Sequence, residues 1–241
     1  MQEWIDAAAK ANVPNGMIRA AKLDQGLFGR LRRDAGPGWR AYVEHPFVLA
    51  LGSGTLPQAA FRNYLVQDYL FLIQFARAYA LAGYKSGSVA ELRAAGAAMT
   101  AIVDLEMPLH VAYCRGWGLS EEDMEATPEA MQTVAYTRFV LDRGLSGDLL
   151  DLDVALAPCV IGYAEVANLL KANPATRLDG NPYAAWIETY AGSEYEAVAT
   201  AAIERLDQTS AARGGDARYG DLLKTFRAAT ALETEFWQMS L

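Results

Sequence analysis

The sequence predicts an all-α fold, and three observations carry the prediction. Strand signals are missing: β-branched clusters are few, strict alternation is rare, and no hairpin dipeptide separates alternating runs. Alanine, leucine and aromatic residues instead recur at the three-and-four spacing of a helix face. Glycine, proline and asparagine interrupt these runs where helices need ends.

Periodicity places helices at residues 3–11, 16–34, 39–51, 57–85, 89–116, 121–143, 147–171, 181–190, 193–212 and 218–239. The first two form an N-terminal helical extension, residues 1–38, set off by Gly36-Pro37-Gly38. Pro57 suits a first turn, where its missing N–H has no partner to lose. Ser120 ahead of Glu121, Glu122 and Asp123 supplies a cap and negative charge at a helix start, and Ser193 ahead of Glu194 and Glu196 does the same. Loops are expected at 172–181 and 213–216. No repeat or low-complexity linker divides the rest, so residues 39–241 read as one helical domain.

Bulk properties exclude several classes. The 241 residues are 52% hydrophobic and 21% charged, a globular balance. A formal charge of -8 with no basic block repels phosphate backbones, so no nucleic acid partner is expected. Met1-Gln2-Glu3-Trp4 lacks the basic start of a secretory signal. No uncharged run approaches the roughly 20 residues of a membrane helix. The segment 145–170 comes nearest and is broken by Asp148, Asp151, Asp153 and Glu165. Two cysteines, Cys114 and Cys159, fit free thiols in a reducing, cytoplasmic setting.

Three helices carry a polar or reactive group where the pattern demands an apolar one. Phe61, Leu65, Leu72, Phe75 and Tyr79 form a stripe that Asp68 completes, with Phe71 beside it. Leu152, Leu156, Val166 and Leu170 form another, whose middle positions are Cys159 and Tyr163, adjacent on one face. Pro158 removes a backbone bond and loosens the helix next to the cysteine. In the last helix Glu233 falls between Thr230 and Trp237, flanked by Phe236. Taken singly, a buried cysteine is most often a small hydrophobe. A stripe carboxylate is most often a surface residue or half of a buried ion pair. Three helices aiming such groups into aromatic seams supply, if the seams face one cavity, a nucleophile, two acid/base groups and flat rings. That set suits covalent chemistry on a planar heterocycle.

At this level of detail the chain resembles the TenA/thiaminase II family. His45-Pro46-Phe47, the run Leu51-Gly52-Ser53-Gly54-Thr55-Leu56-Pro57, and Phe61 with Leu65-Val66-Gln67-Asp68-Tyr69 are similar to its opening. Leu156-Ala157-Pro158-Cys159 with Gly162-Tyr163-Ala164-Glu165 is similar to its cysteine motif. Trp186-Ile187-Glu188-Thr189-Tyr190-Ala191-Gly192 and Glu233-Thr234-Glu235-Phe236-Trp237 resemble two further blocks. The similarity runs from about His45 to the C-terminus, and the extension before it has no counterpart.

The resemblance implies a haem-oxygenase-like helical bundle, usually a homotetramer. It implies hydrolysis of aminopyrimidines in thiamin salvage, 4-amino-5-aminomethyl-2-methylpyrimidine going to the 5-hydroxymethyl product, and possible cleavage of thiamin. By the same resemblance Cys159 matches the nucleophile, Glu233 the acid/base carboxylate, and Asp68 the aspartate that hydrogen-bonds the pyrimidine. Tyr136 and Tyr163 match tyrosines that position ring and nucleophile. Tyr190 matches a pocket tyrosine, and Phe71 and Phe236 ring-stacking positions. Many relatives carry Tyr at position 71. Cys159 excludes the branch that lacks the cysteine. No metal or organic cofactor is required by this chemistry.

Two rival classes remain in view. A metal or haem oxygenase would suit the fold, but the chain has only two histidines. His45, before Pro46, reads as a cap or packing residue. Glu106 and His110 are four apart, whereas di-iron bundles repeat a three-residue spacing. A non-catalytic pyrimidine-binding or regulatory protein is the other class. Cys114 reads as packing, and the Arg30–Arg33 cluster as a solvated face or subunit contact.

Overall fold

Helix spacing in the sequence is met by helix throughout residues 20–241, the part of the computed structural model described here. The elements are α1 (Ala20–Leu23), α2 (Gly26–Ala35), α3 (Pro37–Val43), α4 (Pro46–Ser53), α5 (Gln58–Tyr84) and α6 (Val89–Ala101). A π-helical turn (Ile102–Glu106) leads into α7 (Met107–Arg115), followed by α8 (Glu121–Glu125) and α9 (Met131–Ser146). The chain ends with α10 (Leu149–Ala172), α11 (Ala184–Tyr190), α12 (Ser193–Ala212) and α13 (Tyr219–Gln238). No strand occurs among the described residues. The helix expected at 3–11 and the start of that at 16–34 lie outside them.

The axis of the bundle is α10, which packs against α9, α11, α12 and α13 and touches α3, α4 and α5. Residues on every side of it are buried, the mark of a core helix rather than a surface one. Its acids are all accounted for. Asp148 caps the first turn through Leu150 and Asp151 N–H, and Asp151 pairs with Arg218. Asp153 pairs with Arg205 at 3.0 Å. Glu165 receives two N–H groups of Arg32, at 2.6 and 2.9 Å, and Trp39 Nε1–H at 3.1 Å. Arg32 therefore turns inward, a correction to the solvated face or subunit contact expected of the Arg30–Arg33 cluster. No helix among the described residues is long and apolar enough to cross a membrane.

Four expected helices are interrupted, each for a local reason. Pro46 forbids helical geometry at the residue before it. His45 is accordingly extended, and its Nδ1 caps α4 by accepting Phe47 N–H at 3.2 Å. The expected helix at 121–143 splits around Pro128. The buried Gln67 amide holds that loop through Pro128 O, Ala130 N–H and the Thr133 hydroxyl. The helix at 16–34 breaks before Gly26, whose φ of 63° only glycine adopts readily, and Asp207 accepts Leu27 N–H there. The run 89–116 widens into the π turn just ahead of Pro108, which has no N–H to continue the ladder. At the α12 start, Gly192 rather than Ser193 occupies the cap position.

Candidate active site

Five segments of the bundle aim side chains at one interior cluster. Tyr64, Asp68, Phe71, Phe75 and Tyr79 follow one another at helical spacing on α5. Opposite stand Tyr136 on α9, Cys159 and Tyr163 on α10, Trp186 and Tyr190 on α11, and Glu233 and Phe236 on α13. Asp68 is 4% and Glu233 1% exposed, so both stripe carboxylates do face the core. Cys159 is half-buried.

Rings close the cluster on several sides. Phe71 lies 5.0 Å from Tyr136 and 5.6 Å from Phe236, centroid to centroid. Tyr163 lies 5.2 Å from Tyr190, 5.9 Å from Trp186 and 5.3 Å from Trp237. All eight residues singled out from the sequence, namely Asp68, Phe71, Tyr136, Cys159, Tyr163, Tyr190, Glu233 and Phe236, thus belong to one connected set.

Burial sets the charge of this set. Glu233 is pushed up to about 8 by desolvation; the hydrogen bond from Tyr136 opposes the rise, the charge of Asp68 adds to it, and contact with the Cys159 thiol opposes it again. Tyr136 Oη donates to Glu233 Oε1 at 2.8 Å, so that hydroxyl addresses the carboxyl. Burial also drives the Cys159 thiol well above its ordinary value, and the negative charges of Glu233, Asp68 and Glu106 drive it further. The resting sulfur is therefore a thiol beside a carboxyl that holds its proton near neutrality.

Asp68 is anchored by groups that lie outside the sequence-derived set. His110 Nε2 lies 2.7 Å from Asp68 Oδ2, and its Nδ1 lies 3.0 Å from the Glu106 carbonyl. A carbonyl only accepts, so Nδ1 carries a hydrogen and one further proton lies between Nε2 and Asp68. Burial opposes charge on His110, yet Asp68 and then Glu106 outweigh it and raise the imidazole overall. The result is a histidine–aspartate pair that shares a proton inside the bundle. Tyr64 Oη donates to the same Asp68 oxygen at 3.2 Å and receives Trp186 Nε1–H at 3.3 Å. Sequence reasoning weighed Glu106 and His110 only as metal ligands and passed over Tyr64. The available signals were the four-residue step from Tyr64 to Asp68, and a Glu–His pair on one helical face.

Cys114 is fully buried, and burial raises its thiol to about 11, as suits a packing residue.

Solved structures share this architecture. The crystal structure of a TenA family transcription regulator from Silicibacter sp. TM1040 matches at 46% identity and a TM-score of 0.86, covering 91% of this chain and 98% of that one. The TenA homologue protein from P. horikoshii OT3 matches at 29% identity and a TM-score of 0.81, covering 90% and 98%. The aminopyrimidine aminohydrolase of Halalkalibacterium halodurans is 36% identical over 211 residues, 87% of this chain and 93% of its own. The model of the TENA/THI-4/PQQC family matches residues 32–241, a span that takes in every side chain of the cluster. With fold, relatives and family model in agreement over that span, the chain belongs to the TENA/THI-4/PQQC family.

Proposed function

We propose that the protein hydrolyses aminopyrimidines, converting 4-amino-5-aminomethyl-2-methylpyrimidine to its 5-hydroxymethyl product, and that it also accepts thiamin. The observation that carries this reading is the meeting of a thiol, Cys159, with two buried carboxyl groups, Asp68 and Glu233, between aromatic walls. The relatives named aminopyrimidine aminohydrolase in three bacteria support the substrate class.

In the proposed reaction Asp68, anchored by His110, accepts hydrogen bonds from the amino side of the ring. Phe71 and Phe236 grip its faces; such stacking contributes about 0.5–1.5 kcal/mol per pair beyond burial. Glu233 gives its proton to a ring nitrogen while the Cys159 sulfur bonds to a ring carbon. The thiol proton passes to the carboxylate so formed, which resolves the high resting state of the sulfur. The electron pair of the adduct then breaks the exocyclic C–N bond and expels ammonia. Water adds to the methylene that results, giving a proton to the departing ammonia. Reversal of the first step breaks the C–S bond, and the ring-nitrogen proton returns through Glu233 to the sulfur. Tyr136 orients Glu233, and Tyr163 and Tyr190 line the approach. The work is placed in the thiamin salvage of a reducing cytoplasm, by a homotetramer.

The test is turnover of 4-amino-5-aminomethyl-2-methylpyrimidine by the purified chain and by Cys159→Ser. The native protein should release ammonia and the serine variant should not. A serine variant with full turnover removes the covalent step.

A further inference from the structure

Two tracks of rings lead from the cluster toward less buried ground. On one, Tyr163 lies 5.2 Å from Tyr190, which meets Tyr195 edge-on at 4.7 Å. On the other, Phe71 lies 5.2 Å from Phe75, which meets Tyr79 edge-on at 5.5 Å. The inner members, Phe71 and Tyr163, are buried, whereas Tyr79 and Tyr195 are half-buried. Cys159 is half-buried as well.

Glu106 belongs to this outer side. It is half-buried, and Tyr190 Oη donates to its Oε1 at 3.0 Å. No other side chain among the described residues hydrogen-bonds its carboxyl group. Its charge is felt at Tyr79, Tyr190 and Tyr195 alike. The reaction proposed above uses Asp68 and Glu233 directly, and this third carboxyl only as a charge that helps raise His110. A carboxylate tied to Tyr190, whose ring meets Tyr195, offers the charge and the electron-rich rings that hold an organic cation.

We propose that Glu106, with Tyr190 and Tyr195, forms an outer subsite for the cationic leaving group carried on the exocyclic methylene of the ring. The inference rests on the aminopyrimidine reading and deepens it. The inner half of the site holds the neutral heterocycle, and the outer half selects what is attached to it. An ammonium and a thiazolium share the required chemistry: positive charge one bond beyond the methylene.

Calorimetric titration separates the two halves. Cys159→Ser serves as the parent, so that ligands bind without turnover. Three ligands are titrated: the neutral 4-amino-5-hydroxymethyl-2-methylpyrimidine, the cationic 5-aminomethyl compound, and thiamin. Adding Glu106→Gln should weaken the 5-aminomethyl compound about tenfold, as for loss of one partly desolvated ion pair. The neutral ligand should stay within about twofold, which also reports that the variant is folded. A selective loss for thiamin as well extends the subsite to thiazolium; a loss confined to the ammonium restricts it to small amines. Equal losses for the neutral and cationic ligands, or none for either, overturn the subsite while leaving the aminopyrimidine reading intact. A parent that binds none of the three overturns that reading, and the subsite with it.

Discussion

Glu233 shows how one buried carboxyl ties activity to stability. The native protein keeps this proton up to about pH 8. The unfolded chain releases it near the ordinary glutamate value of about 4.3. Between those values the native state binds one more proton than the unfolded state, so this group's contribution to stability falls as pH rises through that window. Above it, the native protein holds an ionised carboxylate at 1% exposure. Glutamine cannot ionise, and its carbonyl still accepts from Tyr136. Glu233→Gln is therefore expected to melt several degrees higher than the native protein at pH 9 while losing turnover. Thermal melts at pH 6 and pH 9 check the first part, since the gain should shrink toward acid. In the native protein kcat/KM should fall as pH passes about 8, where the acid that protonates the ring is lost. A profile flat to pH 10 contradicts that role for Glu233.

Between elements, α10 is held by close approach on one side and by an ion pair on another. Gly162 faces Tyr42 of α3, whose hydroxyl donates to Pro158 O at 3.2 Å. A Cβ at position 162 would lie 2.5 Å from that ring, too near for any contact. Gly162→Ala must push α3 away from the turn that carries Cys159 and Tyr163. A loss of about 1–3 kcal/mol in urea denaturation is expected, together with reduced turnover. On α2, Arg32 neutralises Glu165, a side chain only 5% exposed. Arg32→Ala strands that carboxylate with Trp39 Nε1–H as its remaining partner. Because Arg32 itself is 28% exposed, the cost should fall below that of a fully buried pair, about 2–3 kcal/mol. Replacing both residues by Met should cost less than Arg32→Ala alone, because no charge is left behind. If the double replacement is the more damaging, the pair acts through packing rather than charge.

Across the molecule, what the sequence revealed depended on how far apart the partners lie. The stripes of α5, α10 and α13 were readable because burial against a single core repeats every three or four residues, and Asp68 and Glu233 inherit their direction from those stripes. The break at Pro128 was missed where apolar spacing runs on across it in phase, and that at Pro46 showed only in the reading of His45 as a cap. The setting of Asp68 was illegible for a different reason. His110 lies 42 positions away, and Glu165 lies 133 from Arg32, and no local pattern encodes such meetings. One apolar stripe stays largely exposed among the described residues. Only Ala95 of α6 is buried, while Val89, Leu92, Met99 and Val103 recur at three-and-four spacing and are 60%, 52%, 37% and 47% exposed. An apolar seam of this kind on a free surface calls for association. The homotetramer proposed above has the means to cover it with a second copy. Leu92→Lys with Met99→Lys should then yield a smaller particle by light scattering, with the helical content kept. The run from α6 through the π turn into α7 also carries Glu106 and His110, so the dispersed variant should lose turnover beyond what dilution alone explains. A native chain that is monomeric at micromolar concentration, or a double variant that keeps its size, would leave the stripe without that role.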